Sequence, residues 1–116
     1  MLSSNFKATL ENVNDKSLFI AKQLKGARHI FFCGIGISEF VAREGALKMK
    51  EMTYLHCQNI QLHSIGNNFF TYLVKNPQTP VIFIILDSQK NKTQYIDDME
   101  KLLNKTNSMG CVVTDI

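Results

Sequence analysis

The residues best suited to chemistry lie in the stretch "EGALKMKEMTYLH", residues 44 to 56, where Glu44, Lys48 and Glu51 are four and three residues apart. On a helix that spacing stacks the three side chains on one face. Two roles fit such a stripe. It is a solvated ion-pair ladder, worth about 0.2–0.5 kcal/mol per pair, or one of its carboxylates is a base whose charge state the lysine tunes. Each helical residue turns about 100°, which puts Val41, Ala42, Gly45, Ala46, Met49 and Met52 on an arc that should face a sheet. Arg43, Lys50 and Tyr54 fall opposite and should be wet. Phe40, Glu44, Leu47, Lys48, Glu51 and Leu55 form a third stripe between them, and its mixture of apolar and charged residues predicts a half-buried flank.

Other motifs carry less chemistry. "GIG" at residues 34 to 36 follows an apolar run and precedes the helical pattern, as the glycines of a dinucleotide fingerprint would. The third glycine would have to stand at position 39, which is Glu39, a carboxylate where a phosphate should sit. A tight strand-to-helix turn is the simpler reading, and in an open parallel sheet such a turn still marks the edge where ligands bind. His29, His56 and His63 share no ligand spacing and are read as structural; no metal site is expected. Cys33, Cys57 and Cys111 are far apart and odd in number, so they read as small buried hydrophobes.

The elements that must position the stripe can be read from periodicity. Residues 6 to 25 are helical in pattern, with Asn14 and Asp15 as a possible break and Gly26 as a stop. "HIFFC" (29 to 33) reads as a strand buried on both faces, and Ser38 as the cap of a helix running to about Leu55. "NIQLHSI" (59 to 65) alternates like a strand, and residues 68 to 74 could form a short helix. "VIFIIL" (81 to 86) is the clearest buried strand; residues 92 to 106 return to helical spacing, and "GCVVTDI" (110 to 116) closes as a buried strand. This order predicts an α/β fold, an open parallel sheet with helices on both faces. The division is a helical segment at 1–27 and a sheet-and-helix core at 28–116, in a single domain that looks incomplete at its C-terminus.

Composition excludes several classes. The charge of +3 comes from scattered lysines without interleaved aromatics, so nucleic acid is not an expected partner. The start has no signal-peptide pattern and the longest strongly apolar run is too short to cross a bilayer, so no membrane partner and a cytoplasmic location are expected.

Residues 31 to 57, "FFCGIGISEFVAREGALKMKEMTYLHC", resemble the second sugar-isomerase (SIS) half of the glutamine:fructose-6-phosphate aminotransferases. Family members typically read Gly-Arg-Gly at the turn and then Glu-Gly-Ala-Leu-Lys-Leu-Lys-Glu-Ile-Ser-Tyr-Ile-His. The resemblance implies a partial SIS domain, a flavodoxin-like three-layer sandwich. It also implies that Glu51 matches the glutamate that moves a proton between C1 and C2 of the open-chain sugar, that Lys48 matches the lysine stabilising the enediol oxygen, and that Glu44 supports the site. Gly34, Gly36 and Ser38 are then expected to bind substrate beside Lys48 and Glu51. The implied ligand is a sugar phosphate, fructose 6-phosphate or glucosamine 6-phosphate, with no cofactor. The implied partner is a second copy or another SIS half.

The departures are equally specific. Ile35 replaces the turn arginine, and Asn67 stands where the family has the histidine credited with ring opening; His63 is near but not aligned. The Ser-Gln-Ser-x-Thr phosphate loop of the first SIS half, the C-terminal Schiff-base lysine and the N-terminal glutaminase are absent from these 116 residues. Alone, the chain is expected to be a poor catalyst or none, and the rival reading is a non-catalytic sugar-phosphate-binding or interaction module.

Overall fold

The computed structural model describes residues 2–61 and 68–115. In chain order the elements are α1 (Leu2–Leu24), β1 (His29–Gly34), α2 (Ile37–Thr53), β2 (His56–Gln61), α3 (Asn68–Lys75), β3 (Val81–Ile85), α4 (Lys92–Thr106) and β4 (Gly110–Thr114). All strand pairs are parallel and the sheet order is β2-β1-β3-β4. The α/β sheet with helices on both faces is thus the observed architecture.

The two central strands explain the continuous apolar runs. All five residues of β3 are buried, as are residues 30 to 34 of β1, because each strand has a helical layer above and below it. On one face Ile30, Phe32, Ile82 and Ile84 pack with Ala42 and Ala46 of α2. On the other, Phe31, Cys33, Val81 and Phe83 pack with Leu73 of α3 and with Tyr95, Met99 and Leu102 of α4. The Tyr95 hydroxyl, fully buried, donates to the Cys33 carbonyl at 2.7 Å and ties α4 to the end of β1. Burial holds the Cys33 thiol up at about 12, so this cysteine is a packed hydrophobe rather than a nucleophile.

Several expectations change. α1 runs unbroken through Asn14 and Asp15, since neither residue removes a backbone donor as proline would. α2 stops at Thr53 because Tyr54 turns left-handed (φ 60°) and its N–H bonds the Lys50 carbonyl. The second strand accordingly starts at His56, earlier than position 59; residues 62 to 65 of the expected strand lie outside the described residues. On α2 the sheet-facing arc is narrower than periodicity implies: Val41 and Met52 are exposed, Met52 at 80%. β4 is an edge strand and is largely exposed, not buried. Cys57 is buried with Cys33, whereas Cys111 is only partly so.

The histidines hold an unanticipated pairing. His29 and His56 are register partners at the amino ends of β1 and β2, with their Nδ1 atoms 3.2 Å apart. One ring must donate and the other accept, so both cannot be protonated in this geometry. Burial, and then the neighbouring His56, push the His29 pKa below its ordinary value of 6.5. The folded chain therefore takes up this proton less readily than the unfolded chain, and the site's stability is whole above that value and declines as pH falls below it. Between about pH 7.5 and about pH 5.5 the wild-type denaturation midpoint should drop, and His29→Phe should shrink the drop. An equally steep pH dependence in His29→Phe would assign the effect to other groups.

Gly34 supplies the second prediction, because a Cβ built there would lie 2.4 Å from the Ser38 carbonyl oxygen, a backbone atom that cannot move without shifting the first turn of α2. Gly34→Ala should cost about 2–3 kcal/mol in chemical denaturation. A midpoint equal to wild type would mean that the helix can back away freely.

Candidate functional site

The turn between β1 and α2 is built by backbone and by one buried hydroxyl. Gly36 adopts φ 59°, a conformation that L side chains rarely adopt, and this reversal throws the chain straight into α2. Ser38 is not the helix cap; Gly36 holds that position, and the Ser38 Oγ accepts from the Ile35 N–H and donates to the Ile35 carbonyl, both at 2.9 Å. Its side chain is completely buried, and both of these hydrogen bonds serve the turn.

Glu39 and several polar side chains without a sequence signal gather at this carboxyl edge of the sheet. Glu39, in the first turn of α2, accepts from Gln61 Nε2 at 2.7 Å and from Arg43 Nη2 at 3.0 Å. The Gln89 side chain donates to the Ile35 carbonyl and accepts from the Leu86 N–H, each at 3.1 Å, linking the loop after β3 to the turn after β1. Lys92 pairs with Asp87 at 2.6 Å, and the Asp87 N–H donates to Asp115 at 2.7 Å. A single glutamine at the end of an edge strand, as Gln61 is, or in a loop, as Gln89 is, carries no periodic signal.

The stripe that opened the sequence reading is intact and faces solvent. Lys48 Nζ lies 3.5 Å from Glu44 and 3.7 Å from Glu51, with all three side chains more than half exposed. Phe40 (67%) and Leu47 (43%) on the same flank are also open. The half-buried flank expected from the sequence is therefore an uncovered one in this chain. By itself the ladder stabilises little, since exposed pairs contribute at most about 1 kcal/mol.

Two groups of candidate residues are separated by the length of the helix. Gly34, Gly36 and Ser38 stand where α2 begins; Lys48 and Glu51 stand near its end. The thirteen residue steps from Ser38 to Glu51 span about 20 Å of helix at 1.5 Å per residue. The structure brings Glu44, Lys48 and Glu51 together, and the turn residues together, but not the two sets into one compact pocket. His63 and Asn67 lie outside the described residues. Among the described residues no group of three or more His, Cys, Asp or Glu could hold a metal ion, and no helix is long and apolar enough to cross a membrane.

Comparison with known proteins connects these features. The sequence profile of the SIS domain matches residues 23–115. The isomerizing glutamine–fructose-6-phosphate aminotransferase of Fusobacterium nucleatum is 54% identical over 81 residues, covering 70% of this chain and 13% of that enzyme. The enzyme of the same name from Corynebacterium diphtheriae is 31% identical over 85 residues, again 73% of this chain and 13% of its own length. The chain thus spans about an eighth of these relatives. Among solved structures, the C-terminal domain of glucosamine-fructose-6-phosphate aminotransferase from Francisella tularensis superposes with a TM-score of 0.74 over 89% of this chain and 27% of that one, at 18% identity, a likeness of fold. With the family's sequence pattern over most of its length and the corresponding fold in its structure, the chain belongs to the SIS domain family.

Proposed function

We propose that the chain supplies the proton-transfer helix for ketose–aldose isomerisation of a sugar phosphate in an aminotransferase that makes glucosamine 6-phosphate. The observation that carries this reading is the outward stripe of α2, where Lys48 sits between two carboxylates on a flank that also exposes Phe40 and Leu47. An exposed ladder needs no aromatic or leucine neighbours. A surface that docks against another unit does, because apolar contact excludes water there and strengthens the electrostatics of the groups it encloses.

In this reading Glu51 takes the proton from one carbon of the open-chain sugar and returns it to the next. A single carboxylate serves both carbons because they are adjacent, and a helix holds it in fixed geometry. Lys48, within ion-pair distance of Glu51, offers its ammonium to the oxygen that becomes negative in the enediolate. Glu44, on the other side of Lys48, restrains the ammonium position. Fructose 6-phosphate and glucosamine 6-phosphate are the proposed ligands. The phosphate contacts and the ring-opening group come from a second SIS half or a second copy docked over the stripe, which is also why the turn residues Gly34, Gly36 and Ser38 need not touch the same sugar that Glu51 serves.

A second reading, a non-catalytic sugar-phosphate-binding or interaction module, is favoured by one observation. Ile35, 8% exposed, is packed into the core at the position where the family pattern has arginine, so the turn presents no cation. The two readings part in a chimera in which residues 31–57 replace the matching segment of the Fusobacterium nucleatum enzyme. The chimera should isomerise fructose 6-phosphate. Glu51→Gln within it should lower turnover by at least about a hundredfold while sugar binding persists, because the amide keeps the shape and loses the base. Arg43→Gln, on the wet face, should leave turnover within about twofold. Undiminished turnover in Glu51→Gln would reduce the stripe to a surface ion-pair ladder.

A further inference from the structure

The amino edge of the sheet holds a feature that the isomerase reading does not use. A cavity of about 550 Å³ opens there between the loop that follows α1 and the loop that enters β3. Its volume lies in the range of small-molecule sites. Lys25, Arg28 and His29 line it, with the amides of Gln23, Asn76 and Gln78, and none of the described lining residues is acidic. Neither Lys25 nor Arg28 has an ion pair among the described residues.

His29 adds an independent sign that a ligand is wanted. Its ring is held on three sides, by Phe31 at 4.2 Å between centroids, by His56 at 4.2 Å and by Tyr72 at 5.4 Å. Its Nδ1 is committed to His56, yet its Nε2 is buried with no hydrogen-bond partner among the described residues. With His56 as donor, His29 carries its proton at Nε2, a donor that seeks an oxygen; with the roles reversed, Nε2 is an acceptor that seeks a hydroxyl. A buried polar atom left without a partner is a liability that native proteins rarely keep. A singly protonated phosphate offers both an acceptor oxygen and a hydroxyl, a carboxylate offers the acceptor oxygen alone, and the negative charge of either suits the two unpaired cations.

We propose that this cavity binds a small metabolite bearing a phosphate or carboxylate group, held by Arg28 and Lys25, with a small turn of the His29 ring bringing its buried Nε2 to the ligand. The site would lie on the α3 side of the sheet, at the edge opposite the Gly34–Gly36 turn. It does not depend on Glu51 having a catalytic role, and its test involves no turnover.

The test is a titration of the isotope-labelled 116-residue chain with inorganic phosphate and, separately, citrate, at ionic strength held constant with sodium chloride. Saturable shifts confined to the amides of residues 25–29 and 76–79, together with a change in the His29 Nε2 signal, are expected. Tighter binding of citrate points to a carboxylate ligand, and tighter binding of phosphate to a phosphorylated one. Arg28→Gln should weaken binding at least about tenfold and Lys25→Gln several-fold, whereas Lys105→Gln, exposed on α4, should leave it unchanged. Both cavity variants alter exposed side chains, and the amide spectrum itself reports whether they fold. Shifts that fail to saturate with either anion, or saturation that neither Arg28→Gln nor Lys25→Gln weakens, would overturn the proposal.

Discussion

The close approach of α2 to the end of β1 is the constraint on which the rest of the molecule depends. Helix and strand meet so tightly that the Ser38 carbonyl occupies the space a Gly34 side chain would need. The Ser38 hydroxyl, bonded twice to Ile35, closes the turn from inside. This contact sets the direction in which α2 crosses the sheet, and that direction decides everything about its faces. Ala42 and Ala46 go down onto β1 and β2, while the flank carrying Glu44, Lys48 and Glu51 is left facing outward. The opposite layer is fastened at the same point, since Tyr95 reaches the Cys33 carbonyl next to the turn. One backbone reversal thus organises both helical layers.

The residues proposed to move the proton, Lys48 and Glu51, stand at the end of α2 that is remote from the turn. In open parallel sheets, ligands commonly bind beyond the carboxyl ends of the strands, and here Glu39, Gln61 and Gln89 at that edge bond to their own neighbours. The outward stripe lies instead on the side of the domain, beside the exposed Phe40 and Leu47. Under the proposed function, this domain would lend its helix to a pocket assembled with another unit rather than enclose a sugar itself. The chain aligns with about an eighth of the enzymes it resembles.

Much of this was legible in the sequence, and the exceptions have physical causes. "VIFIIL" and "HIFFC" announced themselves as central strands because burial on both faces leaves no polar positions, and α4 kept its expected limits because its apolar spacing is regular. The start of β2 was misplaced because His56 and Gln58 are exposed on an edge strand, where hydrophobic periodicity is weakest. The depth of the α2 flank was overestimated for a different reason: periodicity fixes the relative orientation of side chains but not how much of the helix the sheet covers. The Glu44-Lys48-Glu51 ladder needed only helical spacing to be found. The His29–His56 pair, twenty-seven residues apart, and the Gln89 link to Ile35 depend on strand order and loop path, neither of which spacing encodes.

In the proposed function, Glu51 reaches the sugar only when another unit covers the stripe. A crystal structure of the aminotransferase chimera carrying residues 31–57, with fructose 6-phosphate bound, tests it most directly. The account predicts the Glu51 carboxylate within about 3–3.5 Å of both C1 and C2, with Lys48 at the sugar oxygen and Phe40 and Leu47 covered by the neighbouring unit. A Glu51 side chain still open to bulk water, with a different carboxylate against those carbons, would contradict it.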